Sequence, residues 1–132
     1  MCECRTELHD IRHAYTETTS HREHADAKTR GKHTHSIHHT GKLPKEAMGH
    51  NWVLVNAADF DAVANAGLGA GLANDYVAPG DKRVLAHTKT LGGGQTASIT
   101  FSTSSLKPGG DYRYLCTFPG HNALMRGTLK FG

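Results

Sequence analysis

The segment Cys116-Thr117-Phe118-Pro119-Gly120-His121-Asn122-Ala123-Leu124-Met125 gathers a thiol, an imidazole and a thioether, and a second imidazole stands far upstream in Met48-Gly49-His50-Asn51-Trp52. A centre serving both Cu(I) and Cu(II) needs ligands mixed in softness, and a thiolate with imidazoles meets that need. Two His and one Cys in a trigonal plane with a long, weak axial Met form the blue-copper electron-transfer site. Taken singly these residues say little, because a Cys at a strand end is usually a small buried hydrophobe and a Met is usually core filler. The joint pattern carries the specificity: Cys-x4-His-x3-Met around a Pro-Gly turn, with Gly-His-Asn-Trp upstream. Zinc is the rival metal, since it takes thiolate and imidazole too, without redox activity. Cys116 and His121 also suggest a nucleophile and its base. A Met and a second His converging on the same loops are superfluous for that chemistry, no separate acid–base pair or phosphate loop accompanies them, and the chain is read as not an enzyme.

Such a site dictates its scaffold. Cys116 must end a strand, Pro119-Gly120 must turn the chain, His121 must return on the loop, and Met125 must follow one turn later, before a last strand from Gly127. His50 must arrive from a neighbouring strand, so a bound metal ties distant parts of the chain together. Strands are expected at Asn51–Val55, Arg83–Thr90, Gln95–Ser102, Tyr112–Phe118 and Gly127–Phe131. Turn signals at Pro79-Gly80-Asp81, Gly92-Gly93-Gly94 and Pro108-Gly109-Gly110 separate them. Short strands punctuated in this way make an all-β antiparallel sandwich. The exception is Ala57–Leu72, an Ala-rich run with Phe60, Val63 and Leu68 that predicts a short helix broken by Gly67, Gly69 and Gly71.

The chain has 132 residues, enough for one domain, 1–132, that buries roughly two thirds of its unfolded surface. Net charge is +3 with histidines neutral, and the two signs are interspersed, so nucleic acid is not an expected partner. No apolar run is long enough to span a bilayer, and the N-terminus lacks a secretory h-region. If the protein is exported, this is the mature chain behind an added Met1. Three cysteines leave at least one thiol unpaired in a secreted protein, and a ligand role for Cys116 accounts for one.

Gly49-His50-Asn51-Trp52-Val53-Leu54, Arg83-Val84-Leu85-Ala86-His87-Thr88-Lys89, and the run from Cys116 through Met125 to Leu129 together resemble the azurins, bacterial periplasmic cupredoxins, over about 41–131. The resemblance implies a Greek-key cupredoxin sandwich with a helical flap outside it and one type I copper ion. His50, Cys116 and His121 are then the trigonal ligands, Met125 the axial one and the Gly49 carbonyl a distant fifth neighbour. Asn51 would brace the ligand loops, its backbone N–H and that of Phe118 pointing at the Cys sulfur while the Phe118 ring shields the site. The alternative for Asn51 is an ordinary polar turn residue. His39 and His87 match the family's two non-ligand histidines. An apolar ring of Leu43, Met48, Leu68, Ala123 and Leu124 would be the docking patch around His121. The implied partners are redox proteins such as c-type cytochromes or copper and haem reductases, met in the periplasm by a monomer or weak dimer.

Residues 1–40 depart from that pattern. They hold eight of the eleven histidines and no Val, Phe or Trp, although the implied fold needs three strands there. The position matching the second cysteine of the azurin disulfide is Arg30, which makes Cys4 a free thiol or an intermolecular crosslinker. Unpartnered imidazoles at the inward positions His33 and His35 would each be costly. Three readings are open: divergent strands that still form, a partly unfolded segment, or a second metal site using pairs such as His9/His13 and His33/His35. With the last goes a second function class, an azurin-like scaffold with a His-rich metal-binding segment and little or no electron-transfer role.

Overall fold

The structure, a computed structural model, describes residues 32–129 apart from 103, 105 and 108. Expectations for Cys2, Cys4 and Arg30, and for His9, His13, His21 and His24, fall outside those residues, as do the side chains of 32–36. The elements in chain order are β1 (Lys32–His38), α1 (Lys45–Met48), β2 (Val53–Asn56), α2 (Phe60–Ala70), β3 (Val84–His87), β4 (Thr96–Ser102), β5 (Tyr112–Leu115) and β6 (Arg126–Leu129). All pairings are antiparallel. One sheet joins β1 to β4, and the other runs β3-β2-β5-β6.

Strand β2 explains why its text is continuously apolar rather than alternating. Trp52 and Leu54 enter the main core with Ile37, Leu91, Ala97, Tyr112, Tyr114 and Leu129, whereas Val53 and Val55 pack with Val63, Ala64 and Val77 under α2. Both faces are covered, so both faces are apolar. Strand β4 has one wet face: Ala97 is buried, Ile99 and Phe101 half-buried, and the residues between them exposed.

The histidine-rich text does pair as a strand over Lys32–His38. His33, His35 and Ile37 stand opposite Phe101, Ile99 and Ala97, and Ile37 is fully buried between the sheets.

Two expectations need correction. The helix is not broken at Gly67 or Gly69. A single 3-10 turn at Ala57–Asp59 leads into α2, which continues through both glycines and stops at Gly71, where φ is 75°. Glycine inside a helix costs about 1 kcal/mol relative to alanine, which burial of Val63 and Ala64 offsets; only the glycine that takes a positive φ ends the run. Strand β5 stops at Leu115 rather than Phe118. There Cys116 still donates its N–H to the Met125 carbonyl at 3.0 Å, while the next residues turn into the loop that carries His121. Among the described residues no helix is long and apolar enough to cross a membrane.

Candidate metal centre

Two loops at one end of the sandwich meet here. The first begins at Pro44, whose carbonyl accepts from Ala47 and Met48 to form the single turn α1. His50 is then locked to Leu91 by reciprocal backbone bonds, His50 N–H to Leu91 O at 3.1 Å and Leu91 N–H to His50 O at 2.7 Å. The second loop leaves β5 at Cys116, turns through Gly120 at φ 80°, and makes a 3-10 turn at His121–Ala123. Met125 donates its N–H to the His121 carbonyl at 2.8 Å, so the ligand loop is closed on itself. The outcome is that donor atoms of His50, Cys116 and His121, all buried, lie within 4.8 Å of one another and could hold a metal ion. Cys116 Sγ is 3.7 Å from His121 Nδ1 and 4.0 Å from the Gly49 carbonyl oxygen. Met125 is fully buried in the same cluster as Cys116.

Gly49 is required by this crowding. A Cβ there would stand 2.6 Å from the Lys45 carbonyl oxygen, 2.6 Å from Thr90 Cγ2 and 2.9 Å from Phe118 Cδ2. Only glycine lets the Phe118 ring lie over the site while the Gly49 carbonyl faces the thiol.

Asn51, fully buried, joins the two loops. Its Nδ2 donates to the Asp75 carbonyl at 2.9 Å and to Thr117 Oγ1 at 2.8 Å, and its Oδ1 accepts from the Thr117 N–H at 2.8 Å. Its backbone N–H and that of Phe118 favour the thiolate of Cys116. Thr117, Asp75 and Thr90, whose N–H donates to Asp75 Oδ1 at 2.9 Å, are not among the expected residues. Thr117 has a local signal, because it follows Cys116 as Asn51 follows His50, and a buried amide beside a ligand needs a partner. Asp75 has none, lying 24 residues from Asn51.

Electrostatics set the protonation of the donors. Burial, with His39 and His121 adding to it, lowers the His50 pKa to about 2. Burial lowers His121 to about 4, opposed by its hydrogen bond to the Gly49 backbone and aided by His39. Burial raises the Cys116 thiol to about 11 against the pull of the two amides. At neutral pH the imidazoles are therefore neutral, ready to bind, and the thiol must lose a proton on binding. Both His50 ring nitrogens are buried and have no hydrogen-bond partner among the described residues. Buried polar atoms are nearly always paired, so a bare imidazole beside a thiol and a second imidazole fits a metal ligand. One thiol, two imidazoles and a neighbouring thioether form the mixture of donor softness that suits copper.

His39 is fully buried, donating from Nε2 to the Met48 carbonyl at 2.8 Å and accepting the Gly41 N–H on Nδ1 at 3.0 Å, its ring centroid 4.3 Å from that of His50. His87 is half-buried, with Nδ1 3.1 Å from the Thr88 carbonyl. Leu68 and Leu124 are 53% and 51% exposed, Ala123 is exposed and Leu43 half-buried. Met48 does not belong to that surface. At 2% exposure its side chain is turned inward by α1, so it fills space behind the site.

Residues 12–132 match the family of copper binding proteins of plastocyanin/azurin type. Over 97 residues the chain is 58% identical to azurin of Bordetella pertussis, covering 74% of this chain and 65% of that protein. It is 54% identical over 105 residues to azurin of Alcaligenes faecalis, covering 80% and 82% of the two chains. The Bordetella match thus spans a little less than two thirds of that relative's length. In three dimensions the chain is similar to azurin Az-iso2 from the methylotroph Methylomonas sp. strain J, with a TM-score of 0.74 and 47% identity over 77% of this chain and 79% of that one. A two-sheet sandwich with a helix outside it, a buried Cys and two His at one end, and these relatives together place the chain in the plastocyanin/azurin family of copper-binding proteins.

Proposed function

We propose that the protein is a type I blue-copper electron carrier, in which His50, Cys116 and His121 would hold the copper in a trigonal plane, Met125 would be the weak axial donor and the Gly49 carbonyl oxygen a distant fifth neighbour. The observation that carries this is the convergence of three buried donor groups from two loops within 4.8 Å. Copper bound there supplies a one-electron couple between Cu(I) and Cu(II). Cys116 gives up its thiol proton on binding, and the amides of Asn51 and Phe118 then face the sulfur's charge. Asn51 holds the two ligand loops at one separation through Asp75 and Thr117, which resists rearrangement of the ligands in either state. The half-buried Phe118 ring, 4.5 Å from that of His121, would shield the site from water. His121, 6% exposed, brings the site to the surface next to the exposed Ala123 and Leu124 of its own loop, and these with the exposed Leu68 are proposed as the apolar docking face, suited to brief encounters of small area.

The partners in this proposal are redox proteins such as c-type cytochromes or copper and haem reductases, met in the periplasm by a monomer or weak dimer. The role is transfer between proteins rather than catalysis. Residues 1–132 form one cupredoxin domain, which the place of Ile37 in the main core supports. A visible absorption titration of the reduced protein with Cu(II) tests the proposal. An intense blue thiolate band saturating at about one equivalent, and lost in Cys116→Ser with some metal binding retained, is the expected result. Weak absorption that keeps rising past several equivalents, or a band surviving in Cys116→Ser, would overturn it.

A further inference from the structure

Asp75 and Tyr76 both have φ of 54°, the only non-glycine residues with positive φ among the described residues. Two consecutive side-chain-bearing residues persist in that region only where their surroundings over-determine them. The surroundings here are specific. Asp75 accepts from Asn51 on its carbonyl at 2.9 Å and from the Thr90 N–H on Oδ1 at 2.9 Å, and the Tyr76 N–H donates to the Gly71 carbonyl at 3.0 Å. Helix α2 lies directly on this turn: a Cβ at Gly67 would run into the Tyr76 carbonyl oxygen and stand 3.4 Å from Thr117 Cβ. At Gly69, two residues further along the same helix, a Cβ would meet nothing within 4 Å. From the turn the Tyr76 ring reaches Phe118 edge-on, with centroids 5.3 Å apart at 68°, and Phe118 in turn packs on His121 at 4.5 Å.

One strained turn therefore touches both ligand loops, through Asn51 to Thr117 beside Cys116 and through Phe118 to His121. We propose that the Asp75–Tyr76 turn is a positioning wedge for the metal centre, pressed into place by helix α2 at Gly67, with Tyr76 the positioning residue that restrains the His121 ring. This rests on the assignment of Cys116 and His121 as ligands. It gives the flap outside the sandwich a role beyond covering Val53 and Val55, and makes Gly67 a requirement of the site rather than a weakness of the helix.

The test compares Gly67→Ala with Gly69→Ala, and Tyr76→Leu with Tyr76→Phe. In the metal-free protein, Gly67→Ala is expected to raise amide hydrogen exchange at Thr90 and Thr117 about tenfold or more and to shift the His121 ring resonances; Gly69→Ala should leave both unchanged. Tyr76→Leu should move the Phe118 and His121 resonances, and Tyr76→Phe, which keeps the ring, should restore them. In the copper-loaded protein the energy of the thiolate band and the reduction potential should follow the same pattern. Equal behaviour of the two alanine variants, or of Tyr76→Leu and Tyr76→Phe, overturns the inference, and the tyrosine pair decides alone if Gly67→Ala does not fold. Absence of the blue band from the unsubstituted protein would overturn the copper assignment alone, because the metal-free measurements decide the wedge without it.

Discussion

At the scale of single residues, the centre is an exercise in burying groups that prefer water. His50 and His121 fold with pKa values of about 2 and about 4, below the 6.5 of a free imidazole. A group whose folded pKa is depressed stabilises the fold above its unfolded pKa and loses that contribution as pH falls through the folded value. The metal-free protein is expected to lose stability from about pH 6.5 downward, through about pH 4 with His121 and on toward about 2 with His50. Denaturation midpoints measured across that window check this, and a flat midpoint would mean that the imidazoles are solvated. Loading copper at pH 7 should release about one proton, from the Cys116 thiol, since both imidazoles are already neutral. Calorimetry in buffers of different ionisation enthalpy counts it; a value near three would contradict the neutral histidines. With Met125 as the weak axial donor proposed above, replacing it by Leu should keep the blue colour and raise the reduction potential. Voltammetry showing an unchanged or lower potential would argue that Met125 is not axial.

Elements matter through the faces they cover. Strand β2 separates two apolar clusters, so Leu54, fully buried in the main core, should be sensitive: Leu54→Ala is expected to cost about 3 kcal/mol in chemical denaturation. Leu68 lies on the outer face of α2 and is half exposed. Leu68→Ala should change stability by less than about 0.5 kcal/mol, while slowing electron exchange with a partner if that face docks. A stability loss at Leu68 comparable to that at Leu54 would mean that the helix is packed in another rotation. The same elements show where sequence patterns stop being informative. Alternation is legible in β4, which has a wet face, but not in β2, which has none. The two glycines of α2 and the one that follows it look alike as text, and only their surroundings distinguish them: one touches the Tyr76 carbonyl, one faces open space, and one takes the positive φ that ends the helix.

For the whole molecule, a metal held by loops distant in sequence should act as a clamp on the fold. Copper at a thousand times its dissociation constant adds about 4 kcal/mol to stability by mass action, provided the unfolded chain does not bind it. For a domain of this size, that corresponds to a melting temperature on the order of 15 °C above that of the metal-free protein. Scanning calorimetry of the loaded and chelated forms measures the difference. Equal melting temperatures would show that the ion does not bridge the His50 and Cys116 loops.

Residue types and spacing alone were enough to mark Cys116, His121 and Met125 as one loop, because the chemistry of that loop is local and its turn is written in Pro119-Gly120. They also marked the sandwich, through short apolar segments between turn signals. Tertiary structure decided the rest. That Met48 turns inward while Leu68 and Leu124 face solvent depends on which side of each turn is covered, and the types alone are equally apolar. That Asn51 braces Asp75 and Thr117 depends on hydrogen bonds spanning 24 and 66 residues, over which local sequence holds no pattern. That a histidine-rich strand can pair at all depends on β4, since the ladder is made by backbone groups common to every residue and its partner lies on the far side of the chain.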